Sequence, residues 1–237
     1  MSLPIAVLAG GLATRLGAEA REVPKILVDV AGRPFAEHQL ALLKHAGIRH
    51  VVYCLGHLGD RVVEVLGDGG KWDMHFDYVH DGPTLVGTGG ALRRALPHLG
   101  PAFFVMYGDS YLECDFRDVE ATFEGSGQPG LMTVFKNDNR FDRSNVAIDG
   151  GRIAVYDKAS RHPGMDYIDY GLGVLTPSTF EPWRDVDRFD LAVVYQRLVA
   201  AGALASYEVT SRFYEIGSPD GLSETREMLA RRMKAVQ

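Results

Sequence analysis

The sequence predicts an α/β protein built on a Rossmann-like, mostly parallel, doubly wound sheet that carries a β-rich insertion. Three observations predict it. Apolar runs of strand length alternate with helix-period segments through the first half, two adjacent glycines close the first run, and successive β-type runs take over after about Gln128.

In chain order, "PIAVLA" (4–9) is a continuous apolar run ended by Gly10, the pattern of a strand buried on both faces. "PFAEHQLALLKHAG" (34–47) reads as a helix: Pro34 suits a first turn, Leu40, Leu43 and Ala46 share a face, and Gly47 ends it. "RHVVYCLG" (49–56) is a strand, "GDRVVEVLGDG" (59–69) a short helix, and "MHFDYVHD" (74–81) an alternating strand. "GGALRRALPHLG" (89–100) is helical until Pro97, and "AFFVMYGD" (102–109) is another buried strand. In the second half "GLMTVFK" and "YIDYGLGVLT" read as strands. "NVAIDGGRIAVYDK" is two alternating runs around Asp149, Gly150 and Gly151, a hairpin signal. "FDLAVVYQRLVAAG" and the segment from Ser218 onward, with Pro219 in its first turn, read as helices.

The 237 residues, 46% hydrophobic and 24% charged, suffice for a real core, and no linker or repeat divides them, so one domain is expected over 1–237. A net charge of −6 argues against a nucleic-acid partner but leaves room for a small phosphorylated ligand, which needs only local positive charge. The start "MSLPIAVLAGG" has no basic leader, and no apolar run approaches about 18 residues, so no membrane partner and a cytoplasmic location are expected. Cys54 and Cys114 are too few for a disulfide framework and lack metal spacing; Cys54 reads as core. The histidines offer no metal constellation either: His45, His50, His75 and His98 fall at element ends as surface residues.

In an open parallel sheet ligands bind beyond the carboxyl ends of the strands. Gly10 and Gly11 lie at such an end, where they either wrap a phosphate with backbone N–H groups or simply turn the chain. Arg15 and Lys25 could supply charge to the same anion, although neither the dinucleotide fingerprint nor the P-loop spacing is present. Asp109, after the strand "AFFVMYG", is placed either to hold Mg²⁺ or to cap a turn, and Glu215 in "FYEIGSP" could be a second metal carboxylate. Gly87, Thr88, Gly89 and Gly90 open a helix and either receive a planar base or permit a tight helix start. Asp157 and Lys158 end the hairpin, and Tyr170 and Gly171 lie in the next strand.

Taken in order, "LAGGLATRL", "VPK", "VGTGGAL", "YGDS", "VYDK", "YGLGVL" and "YEIGSP" resemble the sugar-phosphate nucleotidyltransferases over nearly the whole chain. The short length and "GTGGAL" look most like the stand-alone hexose- and heptose-1-phosphate enzymes, such as the heptose-1-phosphate guanylyltransferases. The resemblance implies the nucleotide-diphospho-sugar transferase fold, with a nucleotide-binding half (1–127) and a sugar-phosphate-binding half (128–237) that contains the β-rich sugar-binding insertion. It implies transfer of a nucleotidyl group from a nucleoside triphosphate, here GTP, to a heptose or hexose 1-phosphate, with pyrophosphate released. Leu8, Gly10, Gly11 and Thr14 would hold the triphosphate, with Arg15 and Lys25 catalytic and Gly87, Thr88, Gly89 and Gly90 at the base. Asp109 and Glu215 would bind Mg²⁺; Asn145, Asp157, Lys158, Tyr170 and Gly171 would line the sugar-phosphate pocket.

Three positions depart from the family pattern: Glu215 replaces the usual aspartate, Asp157-Lys158-Ala159 the usual Glu-Lys-Pro, and Asp169-Tyr170-Gly171 the usual Asn-Ala-Gly. Rival readings are a uridylyl- or cytidylyltransferase acting on an amino sugar 1-phosphate and a catalytically silent nucleotide-sugar sensor. Whether the chain forms a homo-oligomer is left open.

Overall fold

The computed structural model describes residues 2–11 and 23–235, so the expectations on Thr14 and Arg15 lie outside it. In chain order the elements are β1 (Ile5–Leu8), β2 (Asp29–Val30), β3 (Arg33–Pro34), α1 (Phe35–His45), β4 (His50–Leu55), α2 (Gly59–Leu66), β5 (His75–His80), α3 (Gly87–Ala95), β6 (Phe103–Tyr107), β7 (Ser110–Tyr111) and α4 (Phe116–Ser126). The second half adds β8 (Gly130–Lys136), β9 (Val146–Asp149), β10 (Arg152–Tyr156), β11 (Tyr167–Leu175), α5 (Leu191–Ala200), β12 (Leu204–Val209), β13 (Tyr214–Glu215) and α6 (Pro219–Ala235).

The strands of both halves form one nine-stranded sheet, ordered β10-β9-β11-β6-β1-β4-β5, with β8 against β11 and β12 against β8. Its centre is parallel: β1 pairs with β4 and β6, and β4 with β5. The insertion enters antiparallel, through β11 on β6 and β8 on β11. Alternation along β1 sends Ile5 and Val7 to one face and Ala6 and Leu8 to the other. On the first face they meet Leu40 of α1, Val62 of α2 and Val119 of α4; on the second, Leu92 of α3 and Val194 of α5. Helices thus cover both faces, as a doubly wound sheet requires. Removing each such valine, leucine or isoleucine side chain from water contributes about 1.5–3 kcal/mol.

The hairpin expected at Gly150 and Gly151 joins β9 and β10, and both glycines take positive φ, +54° and +78°. Besides the two-residue strands β2, β3 and β7, two longer elements escaped the sequence reading. Helix α4 is signalled by Asp115, which accepts from the N–H groups of Arg117 and Asp118, and by buried Phe116, Val119 and Phe123. Strand β12, rich in half-exposed positions, is held by its parallel pairing to β8. Among the described residues no helix is long and apolar enough to cross a membrane.

Strand β11 positions the site. Tyr167 pairs with Val146 of β9, Leu172 pairs with Met106 of β6, and no pairing on that side fills the stretch between them. The register toward β8 also shifts between Asp169 and Gly173. Gly171 has φ +99°, a left-handed conformation that suits glycine, and it turns the strand at this break.

Candidate active site

Two cavities open at the carboxyl end of the parallel strands. The first, of about 230 Å³, is lined by Leu8, Gly10, Gly11, Asp81, Leu85, Gly87 and Thr88, and also by Lys25, Tyr107 and Asp109. The second, of about 800 Å³, lies over the break in β11 and is lined by Asn145, Lys158, Asp169, Tyr170, Gly171 and Glu215, and by the same Lys25, Tyr107 and Asp109. The two spaces therefore meet at three residues.

Local structure explains most of the lining. Gly10 follows β1 and passes Gly56 so closely that a Cβ would stand 3.0 Å from the Gly56 nitrogen, whereas a Cβ on Gly11 would meet nothing within 4 Å among the described residues. The two glycines thus differ: only the first is required by a close crossing of described chain. Pro24 precedes a single 3-10 turn, Lys25–Leu27, which brings the Lys25 ammonium 3.1 Å from Asp109 Oδ2. Asp109 follows β6, and its carbonyl accepts from Ile216 N–H, binding the end of β6 to the β13 segment.

Glu215, on β13, accepts from the N–H groups of Gly217 and Ser218 and from the Ser218 hydroxyl, at the entry to α6. A Cβ on Gly217 would lie 2.8 Å from Glu215 Oε2, 2.9 Å from Asp109 Oδ2 and 3.5 Å from Lys25 Nζ. Glycine at 217 therefore leaves a gap of atomic size between two carboxylates. Paired carboxylate oxygens across such a gap suit a small, hard cation of the Mg²⁺ kind, so these residues fit that group.

The four helix-opening residues divide between cavity and packing. Gly87 and Thr88 line the first cavity. Gly89 and Gly90 are buried, and their N–H groups donate to the Phe189 carbonyl at 3.1 and 3.3 Å. The Thr88 hydroxyl accepts from Leu191 N–H at 2.8 Å, so it serves the start of α5. Asp81, unmarked in the sequence reading, lines the same cavity while only 6% exposed. Burial pushes its carboxyl above the usual carboxylate range, against the opposing pull of Val86 N–H, Arg94 and His80.

On the second side, Lys158 donates to the Tyr107 hydroxyl at 2.9 Å and stands 3.8 Å from Asp169 Oδ2. Asp169, marked in the sequence only as a departure from the family pattern, accepts from Tyr156 O–H and from Gly171 N–H, and its own N–H donates to Asn145 Oδ1. Burial raises the Tyr107 hydroxyl well above its ordinary pKa and keeps it neutral. The Tyr170 ring is buried, and its hydroxyl bonds the Glu113 backbone. Asp157 does not line the cavity: it accepts from Ala159 N–H, Ser160 N–H and His162, and these bonds hold its carboxyl down at about 2.

One expectation from the sequence is corrected. Histidines read as scattered surface residues converge: one ligand atom each of His50, His75 and Asp77 lies within 4.8 Å of the others, at the opposite end of the sheet. Linear spacing gave no sign of it, because the parallel pairing of β4 and β5 sets His50 beside His75.

The family model for the MobA-like NTP transferase domain matches residues 5–162. A glucose-1-phosphate thymidylyltransferase from Streptomyces antibioticus is 31% identical over 83% of this chain, which spans only 57% of that relative's length. The D-glycero-alpha-D-manno-heptose 1-phosphate guanylyltransferase of Campylobacter jejuni is 24% identical over 90% of this chain and 94% of its own. A Bacillus anthracis structure in complex with a sucrose superposes with a TM-score of 0.86 at 20% identity, covering 97% of this chain and 96% of that one; this likeness bears on the fold.

Proposed function

The chain belongs to the MobA-like NTP transferase family, and from that premise we propose that it transfers a nucleotidyl group from a nucleoside triphosphate to a sugar 1-phosphate, releasing pyrophosphate. The observation that carries the reading is the junction: the two cavities share Lys25, Tyr107 and Asp109, so a triphosphate in one would place its α-phosphorus beside a phosphate lying in the other. An oxygen of the sugar phosphate attacks that phosphorus, the new P–O bond forms, and the bond to the bridging oxygen of pyrophosphate breaks.

The difficulty is charge. Unit charges of like sign about 5 Å apart repel by under ~1 kcal/mol in water but by roughly 3 kcal/mol at an effective dielectric near 20. Lys25 at the junction and Lys158 in the second cavity offset that repulsion, and Arg15 joins them by resemblance. Asp109 and Glu215 would hold Mg²⁺, which when bound neutralises and orients phosphate oxygens. A phosphate monoester is already ionised near neutral pH, so positioning and electrostatics rather than a general base carry the rate.

GTP with a heptose or hexose 1-phosphate is the substrate pair we favour. The Asp81 carboxylate in the nucleotide-side cavity supports guanine, whose ring N–H and exocyclic amine are adjacent donors for paired carboxylate oxygens. The similarity to the Campylobacter heptose enzyme along both chains supports the sugar. A cytoplasmic location belongs to the same proposal.

The test is pyrophosphate release with Mg²⁺ across the four ribonucleoside triphosphates and dTTP, each against hexose, heptose and amino-sugar 1-phosphates, with Asp109→Asn as control. Turnover of GTP with one of the named sugars, lost in the control, is expected. Turnover confined to UTP or CTP with an amino sugar would overturn the substrate pair. Silence across the panel, together with nucleotide-sugar binding, would overturn the catalytic reading itself.

A further inference from the structure

We infer that His50, His75 and Asp77, with His98 beside them on the Asp77 carboxylate, form a binding site for a transition-metal dication of the zinc class, at the amino end of the parallel strands and separate from the phosphate-transfer site. The placement follows from the sheet. In the parallel pairing of β4 and β5, His50 stands opposite His75 and Val52 opposite Asp77, and alternation puts His75 and Asp77 on one face. The turn after α3 brings in His98. Three imidazoles then converge on a single oxygen, Asp77 Oδ2: His50 Nε2 at 2.8 Å, His98 Nδ1 at 3.4 Å and His75 Nε2 at 3.5 Å.

Hydrogen bonding explains only the first of these contacts, since the other two are long for a good bond. The His75 contact matches a different spacing, that of two ligands on one metal, whereas His98 stands outside the group of ligand atoms within 4.8 Å of one another. Zinc bonds to imidazole and carboxylate are about 2.0–2.2 Å, which sets the edges of a tetrahedron at roughly 3.3–3.5 Å. The His50 contact must open by about half an ångström to join it.

The side chains are 26% to 67% exposed, so an ion reaches them from solvent without unfolding. The neighbouring Arg49 guanidinium is bonded to the Lys44 and Ile48 carbonyls. Imidazole nitrogens with one carboxylate select Zn²⁺, Co²⁺, Ni²⁺ or Cu²⁺ over Mg²⁺, so this centre and the paired carboxylates of the active site take different metals. Helix α3 spans the two, with Gly87 in the nucleotide-side cavity and, ~14 Å along the helix, the turn that bears His98.

Titration of the magnesium-free chain with zinc chloride by calorimetry, and with cobalt chloride by visible absorption, tests the site. One equivalent of Zn²⁺ and the intense bands of four-coordinate Co²⁺ are expected in the wild type and in Asp109→Asn. The double variant His50→Gln/His75→Gln should weaken Zn²⁺ by at least ~100-fold and Asp77→Asn by at least ~10-fold. His98→Gln, on an exposed turn, serves as a variant that leaves the strands intact and should also weaken it by about tenfold. Mg²⁺-supported pyrophosphate release should persist in all three. Absence of zinc binding by the wild type, equal affinity in the double variant, or loss of binding in Asp109→Asn would each overturn the site.

Discussion

The two cavities share Lys25, Tyr107 and Asp109, yet they are built by opposite means. The nucleotide-side cavity is shaped by main chain at strand ends: Gly10 and Gly11 after β1 and Gly87 at the start of α3, with a carboxylate not shared with the other cavity, Asp81, set in its wall. The second cavity is shaped by side chains over a strand that has lost its neighbour, where Asp169 pairs with Lys158 through its carboxylate and donates its N–H to Asn145 Oδ1 at the break in β11. Main-chain walls recognise what every nucleotide carries, whereas a wall of side chains can be rewritten one residue at a time. Variation in the sugar should therefore map to the second cavity and leave the junction alone.

The junction gives the largest expected effect. Lys25→Ala removes the cation common to both cavities, and turnover should fall by roughly 100- to 1,000-fold, the range seen when one preorganised donor is removed from a developing charge. The loss should appear in kcat for every accepted substrate pair, with thermal stability preserved, since the side chain is partly exposed and, among the described residues, its partner is Asp109. A loss confined to KM for one substrate would assign Lys25 to one cavity and break the idea of a junction.

Gly217→Ala is the next step down. The new methyl must enter between Asp109 and Glu215, less than 3 Å from an oxygen of each, so the carboxylates have to separate. A misplacement of this size costs about 100-fold in rate, and raising Mg²⁺ should restore part of it. Rate loss without any change in Mg²⁺ dependence would show that the gap does not hold the metal.

Asp81→Asn sharpens the nucleotide side. Asparagine can still accept from Val86 N–H but offers one oxygen where a carboxylate offers two, so KM for GTP should rise by roughly 10- to 100-fold, the worth of a charge-assisted bond. The pH profile carries a second reading. Burial raises the Asp81 carboxyl, so it takes up its proton at a higher pH than an ordinary aspartate, near 3.9, would. As pH falls, KM for GTP should climb while exposed carboxylates are still ionised, and the asparagine variant should lack that limb. Equal KM values across pH in both proteins would remove Asp81 from base recognition.

The same contrast explains what could be read from the sequence. Gly10, Gly11 and Asp109 were legible because they end or follow strong apolar runs, and the topology of a parallel sheet says where such ends point, whereas Lys25 was legible as a cation held behind Pro24 and through the resemblance. Alternation and the Gly150-Gly151 turn marked the antiparallel extension. Asp81 was not legible, and Asp169 was legible only as a departure from the family pattern, since each sits where only tertiary packing creates the wall: one beside the α3 entry, the other at a break that follows from which strands β11 meets. The His50–His75–Asp77 cluster was hidden for a related reason, because two residues 25 positions apart become neighbours only through parallel register. Helix α4 was legible in Asp115 and its apolar spacing and was passed over.

The smallest effect separates the resemblance from the geometry. By resemblance Asp157 and Lys158 stand together in the sugar pocket, but Lys158 faces the cavity and bonds Tyr107, whereas Asp157 caps its own loop through Ala159, Ser160 and His162. Lys158→Ala removes a cation from the proposed phosphate site and should raise KM for the sugar 1-phosphate by about tenfold, the scale of one net hydrogen bond. Asp157→Asn keeps an oxygen for the two N–H groups and should change that KM by under about twofold. Because its bonds hold Asp157 ionised down to about 2, its charge is constant across any working pH, and the variant's profile should overlay that of the wild type. A tenfold effect at Asp157 would mean that the loop reorients when the sugar binds, so that the second cavity is completed by substrate and the nucleotide side is formed in advance.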